Sequence, residues 1–287
     1  MSDSPAAQGP RRRGVRAPIE WLGRSARKRG AYIGAQVSYV GALSGLLAIT
    51  LRWVGRGLIV SGAKLRVSAL VAQMVRVGVR AVPIVLLVQI FIGVILALQM
   101  APTLQSYGQL ERVADVVGIA VVRVLGPLIT GIVLSGFAGA SIAAEIGSMV
   151  EAEEIKALRA HALNPFRFLV VPRFMATVIA MVGLSVIADA IGVVGGLLTA
   201  VLVLDVPLGT YIELTQAALK TQDFLTGLFK AGMFGVLISM IACHEGLSVS
   251  GGAEGVGRAT TGTVVKCIVA LIGTDAVFTA LFYAWGI

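Results

Sequence analysis

An all-α integral membrane protein is the fold class this sequence predicts. Three observations predict it: a strongly apolar composition, two uncharged runs longer than a bilayer requires, and a dense charged segment between apolar stretches. Hydrophobic residues make up 57% of the 287-residue chain and charged residues only 14%. Mean hydropathy is +0.90, outside the range of soluble domains. Residues 81–110 and 124–144 contain no Asp, Glu, Lys or Arg, and about 20 helical residues suffice to cross a hydrocarbon core.

The net charge of +9 is unevenly placed. Residues 1–80 hold 14 of the 24 basic residues against two acids, Asp3 and Glu20. Residues 1–30 read as a basic, disordered cytoplasmic tail built on Arg11, Arg12, Arg13, Arg16, Arg24, Arg27, Lys28 and Arg29. Such an arm can suit nucleic acid, but beside membrane spans, with few aromatics and no nucleic-acid motif, it reads as a flank drawn to anionic lipid. It lacks the apolar core and cleavage site of a secretory signal.

Residues 31–75 read as an interfacial amphipathic helix region. Residues 31–51 are uncharged but diluted by Gly34, Gln36, Ser38, Gly41, Ser44 and Gly45, and Arg52, Arg56, Lys64 and Arg66 follow as snorkelling bases. Residues 76–287 form the membrane domain, with five spans expected near 77–101, 116–144, 168–204, 224–245 and 262–285. The linkers carrying Glu111, Arg112 and Asp115, and Asp205, Glu213, Lys220 and Asp223, are acidic or balanced and belong outside. The N-terminal region and the 148–173 linker, with Lys156, Arg159, Arg167 and Arg173, belong inside. Five spans then place the N-terminus in the cytoplasm and the C-terminus outside. A sixth span at 31–51 would move the eight bases between Arg11 and Arg29 outside, against that bias.

The charged segment, residues 140–159, holds Glu145, Glu151, Glu153, Glu154, Lys156 and Arg159. Charge is costly in lipid, so the segment leaves the membrane. Acids precede bases and Asn164-Pro165 closes the segment, the order of a short helix whose ends match its dipole. Glu151, Glu154, Leu158 and Ala162 share one face of such a helix, and the segment suits docking of a soluble partner.

Other motifs carry less. Gly252-Ala-Glu-Gly-Val-Gly257 has half of a P-loop, but Arg258-Ala259 stands where Lys-Ser/Thr is required and the loop joins two spans; a cytoplasmic turn capping the last span at Thr260 or Thr261 fits better. No HExxH motif or nucleophile elbow is present, so no enzyme is indicated. His161 reads as solvated and His244 as an interfacial cap. Cys243 and Cys267 read as buried thiols. The small-residue pairs Ser135/Gly139, Ala143/Gly147 and Gly192/Gly196 let helix backbones approach closely. Within the spans stand Arg123, Asp189, Lys230 and Asp275, which either pair with one another or line a cavity.

Taken in order, residues 144–149 (AEIGSM), 153–159 (EEIKALR), Asn164-Pro165, 171–174 (VPRF), Gly192 to Gly196, 255–261 (GVGRATT) and Asp275 closely resemble the MlaE/YrbE family. These are permease subunits of ABC transporters that work with MCE proteins. The resemblance covers roughly residues 40–287 and not the tail. It implies a homodimer of permeases in the bacterial inner membrane, each with an N-terminal interfacial helix, five spans and a cytoplasmic coupling helix at residues 149–162 between spans 2 and 3. The implied partners are a second copy of the chain, an MlaF-like ABC ATPase, an MlaD-like ring of MCE-domain subunits and a small STAS-type regulator, with phospholipid as substrate. ATP and Mg would be held by the ATPase, and no cofactor by this chain. The family's lipid pocket maps onto Leu96, Gln99, Leu104 and Tyr107, and its buried charge set onto Arg123, Lys230 and Asp275. The ATPase-facing set maps onto Glu151, Glu153, Glu154, Ile155, Leu158 and Arg159. One departure is Val124, where relatives place an acid after the arginine, so Arg123 needs a partner from elsewhere.

Two other functions stand against this reading. A proton- or ion-coupled carrier would use Asp189, Asp275 and Lys230 as a relay, but it leaves the charged linker helix without a role and no inverted repeat is visible. A plain membrane anchor has no use for charges within its spans.

Overall fold

A computed structural model of the chain describes residues 16–59 and 67–286. Among them the regular elements are helical. Eleven α-helices follow in order: α1 Arg16–Ile59, α2 Val67–Val77, α3 Val82–Ser106, α4 Val113–Ala120, α5 Gly126–Leu134, α6 Ala140–Glu151, α7 Glu154–Ala160, α8 Val171–Leu202, α9 Leu208–Ala218, α10 Thr221–Leu247 and α11 Gly252–Ala284. Three π-helical turns, Val121–Leu125, Ser135–Gly139 and Phe166–Val170, interrupt or precede these helices.

The five expected spans appear as the helical stretches Val67–Ser106, Leu110–Glu151, Phe166–Leu202, Thr221–Leu247 and Gly252–Ala284. A sixth stretch, Gln36–Gly57, is also long and apolar enough to cross a membrane. Its glycines and serines dilute its hydropathy without breaking the helix. α1 begins at Arg16, so it takes in the second half of the segment expected as disordered tail; residues 1–15, with Arg11, Arg12 and Arg13, and residues 60–66, with Lys64 and Arg66, lie outside the described residues. The chain divides into two units at Gly45/Leu46, inside α1.

Within the second unit α8 is the central helix, with buried residues along most of its length. It meets α3 where both present glycine: a Cβ on Gly93 would strike the Gly192 carbonyl oxygen, and one on Gly195 would strike that of Ile90. Lipid supplies no hydrophobic drive between helices, so backbone-to-backbone proximity of this kind is what packs them. The Gly192/Gly196 and Ala143/Gly147 pairs are used inside the chain, against Val121 and Gln89, Val117 and Tyr211, and Val249.

Two boundaries differ from expectation. α11 begins at Gly252, after Gly251 and Gly252 turn the chain with φ of 97° and 70°. Thr260 and Thr261 therefore sit two turns inside the helix, their hydroxyls donating to the carbonyls of Val256 and Gly257, and cap nothing. The helix expected over 149–162 is broken as well. α6 runs to Glu151, Glu153 takes a left-handed φ of 58°, and α7 spans only Glu154–Ala160. Glu151 and Ala162, itself at φ 56°, are therefore not on one face with Glu154 and Leu158.

Candidate functional site

The charge set includes two ion pairs, Lys230 with Asp275 and Arg123 with Asp223. Lys230, in the middle of α10 and 1% exposed, places Nζ 2.9 Å from Asp275 Oδ1 on α11 and donates to Thr279 Oγ1 at 2.9 Å. The Phe282 ring lies 6.0 Å from the same ammonium, so every side of the charge has a partner. Arg123 instead pairs with Asp223, Nη1 to Oδ1 3.3 Å. Asp223 sits at the start of α10, where its other oxygen accepts the Lys220 backbone N–H at 3.1 Å. A carboxylate there also meets the positive end of the helix dipole.

Asp223 answers the question raised by Val124, because it supplies the acid missing beside Arg123. The sequence places it in an outer linker and not in the charge set. Its spacing was the available signal: seven residues before Lys230 is two helical turns, about 10 Å along the same face. The π-turn that carries Arg123 adds a residue to the helix at that level.

Asp189 behaves differently. It is 4% exposed on α8, and neither carboxylate oxygen has a hydrogen-bond partner among the described residues. Its Oδ1 lies against Gly126, where a Cβ would collide with it. Gln89 on α3, buried and overlooked in the apolar run, also has an unpartnered amide nitrogen, close to Gly192 one turn further along α8. The relay imagined from Asp189, Asp275 and Lys230 is not what the geometry presents, since Lys230 and Asp275 are committed to one another and Asp189 faces Gly126.

Leu96, Gln99, Leu104 and Tyr107 form a stripe along the second half of α3. Leu96 and Leu104 pack beside Ala97, Ala101, Val113, Val117 and Val121, Gln99 is exposed and Tyr107 is 77% exposed at the helix end. Pro102 leaves the helix without one backbone donor in this stretch. Next to the stripe is an open cavity of about 570 Å³ whose walls include Gln105, Leu110, Arg112, Leu204 and Asp205. The charged pairs lie on other spans, in the π-turn after α4 and on α10 and α11.

The α7 end is built from charge. Glu153, at the left-handed turn, accepts a hydrogen bond from Lys156 Nζ at 2.6 Å; that bond, and then the lysine's charge, hold its carboxyl below the usual range. Glu151, Glu154 and Arg159 are exposed, Leu158 is half-buried and Ile155 is buried. Ile155 therefore turns into the protein and anchors α7 to it, leaving the acids, Arg159 and part of Leu158 to face outward. Behind α7, Glu145 Oε2 lies 2.8 Å from Arg76 on α2 and Oε1 lies 3.0 Å from Arg173 on α8. Lys266 pairs with Glu245 at 2.7 Å. The guanidinium groups of Arg56 and Arg167 each lie 5.6 Å from the Trp53 ring.

No group of three His, Cys, Asp or Glu with metal-binding proximity occurs among the described residues. What the arrangement offers is a packed membrane body with paired internal charge, an amphipathic stripe at one end and an exposed charged helix at the other.

Comparison with known proteins gives the same picture. The family model for permease MlaE matches residues 70–281, which includes both charged pairs, Asp189, the α3 stripe and α7. The match begins at residue 70, inside the range of roughly 40–287 over which the sequence resembles the family. The chain is 35% identical to the intermembrane phospholipid transport system permease protein MlaE of Haemophilus influenzae, over 76% of this chain and 84% of that protein. It is 38% identical to a probable ABC transporter permease protein of Rickettsia bellii, over 75% and 83%. A chloroplastic protein of Arabidopsis thaliana, TRIGALACTOSYLDIACYLGLYCEROL 1, is 30% identical over 74% of this chain and 60% of its own length.

Proposed function

The chain belongs to the MlaE permease family, and from that premise we propose that it is the membrane-spanning subunit of an ABC transporter that moves phospholipid or a related lipid. The supporting observation is the family match across residues 70–281, which takes in the amphipathic α3 stripe and the exposed charged helix in one continuous segment. In this reading two copies pair in the inner membrane, a separate ATPase binds and hydrolyses ATP with Mg, and α7 docks on it. A ring of MCE-domain subunits on the opposite side exchanges the lipid, and a small STAS-type regulator acts through the ATPase. α1 lies along the cytoplasmic interface, the N-terminus is cytoplasmic, and Leu96, Gln99, Leu104 and Tyr107 contact the acyl chains.

The work of this chain is mechanical and selective. Its paired charges keep polar groups inside the bilayer at tolerable cost, while glycine-packed α3 and α8 hold the stripe at a fixed position. The test is reconstitution. The chain, coexpressed with the ATPase of its own transporter and placed in liposomes, should carry a fluorescent phospholipid only when ATP is supplied. Movement driven by an ion gradient without ATP, or failure of any ABC ATPase to copurify, would overturn the reading.

A further inference from the structure

α7 hangs between two legs. One is α6, which leads into it; the other is the π-turn Phe166–Val170 with the start of α8, which leads out. Glu145 on the first leg and Arg173 on the second meet at 3.0 Å, about two turns from where α6 ends. Arg173 is 5% exposed, and its Nη1 also donates to the Leu169 carbonyl inside the π-turn at 2.9 Å. The second Glu145 oxygen takes Arg76 of α2 at 2.8 Å. One carboxylate thus ties the two legs together and links both to α2, the first segment of the Val67–Ser106 stretch.

The packing around the brace is uneven. A Cβ on Gly147 would come within 2.8 Å of Val249, and one on Gly246 within 2.8 Å of Ile146, so α6 fits against α10 and the turn that follows it with no slack. A π-turn at Ser135–Gly139 leads into the first leg and another, Phe166–Val170, forms part of the second, places where a helix accommodates a change in register. A force on α7 has two outcomes. With the brace intact, both legs move together and draw α2 along; without it, the π-turns absorb the motion locally.

We propose that the Arg76–Glu145–Arg173 brace is the element that transmits movement of α7 to the lipid-handling spans, with Glu145 as its positioning residue. The proposal rests on the ABC-permease reading above. It assigns Glu145 no contact with lipid or nucleotide; its role is to make two legs and α2 respond as one.

The test uses the complex of this chain with its ATPase in liposomes, reading ATP hydrolysis and lipid movement in the same sample. Glu145→Gln keeps an oxygen that can accept from Arg173 but removes the charge, and Arg76→Gln cuts the exposed half of the brace without leaving a buried cation. Both should copurify with the ATPase and hydrolyse ATP, while lipid moved per ATP falls about fivefold or more, the low end of ordinary coupling between sites. Lys266→Gln, which breaks a neighbouring pair between α10 and α11, should leave the ratio unchanged. An unchanged ratio in Glu145→Gln and Arg76→Gln overturns the proposal, as does an equal fall in Lys266→Gln. A fall in stability and ATPase binding in proportion to transport also overturns it, because the brace is then only structural. Absence of ATP-dependent transport in the unaltered complex would refute the permease reading instead.

Discussion

Lys230 is the most completely enclosed charge described in the chain, and its dependence on Asp275 can be measured. Removing one member of a buried pair leaves the other desolvated, at a cost of about 3–5 kcal/mol, whereas replacing both with apolar residues of similar size is often close to neutral. Lys230→Met alone should therefore lower thermal stability sharply, and Lys230→Met with Asp275→Leu should recover most of it. If the double variant is as unstable as the sum of the singles, the two side chains do not act as a pair. Asp189 calls for the opposite expectation. A buried carboxylate without a donor is more costly than an amide of the same shape, so Asp189→Asn should be at least as stable as the parent. Gly126→Val should fail to fold, since its side chain would occupy the space of the Asp189 carboxylate. A stable Gly126→Val protein would show that α5 and α8 do not meet as described.

At the scale of helices, α7 has a buried anchor and an outward face, and the proposed docking assigns them different effects. Ile155 is buried, so Ile155→Ala should destabilise the protein by about 2 kcal/mol, the lower range for such truncations. Leu158→Ala with Glu154→Lys changes outward-facing groups, and should release the ATPase by about tenfold in affinity while the melting temperature holds. Copurification and thermal scans of the two variants check this, and reversed effects would mean that α7 is turned the other way. Residue patterns disclosed part of this element. The cluster of Glu151, Glu153, Glu154, Lys156 and Arg159 had to leave the bilayer on charge alone, and Asn164-Pro165 marked its end. The break at Glu153 was hidden because a left-handed turn usually announces itself with glycine or asparagine, and here a glutamate holds it. The spans were legible for the same reason as the charged helix: residues 81–110 and 124–144 contain nothing that lipid rejects. The π-turns inside and between them were not, because one residue more or less per turn leaves composition untouched. The spacing from Lys230 placed Asp223 on the right face of α10, but its pairing with Arg123 was not legible: the partners are a hundred positions apart, and only the folded chain brings them together.

For the whole molecule, the unresolved choice between five crossings and six becomes a question about where the two termini lie. Gln36–Gly57 is long and apolar enough to cross, yet the arm before it carries eight bases from Arg11 to Arg29, and loops so rich in Lys and Arg stay on the cytoplasmic side. If α1 lies along the interface, five spans put the N-terminus and α7 on one side and the C-terminus on the other. If α1 crosses, both termini lie opposite α7. Single cysteines at Ser4, Lys156 and Trp285, in a background carrying Cys243→Ala and Cys267→Ala, distinguish the two arrangements. Lys156 is exposed on α7 and Trp285 on the last turn after α11, so both positions should react once reagent reaches their side. With an impermeant thiol reagent on intact cells, Trp285→Cys should label while Ser4→Cys and Lys156→Cys remain protected until the cells are opened. Labelling of Ser4→Cys together with Trp285→Cys would make Gln36–Gly57 a sixth span and remove the interfacial helix from the proposed architecture.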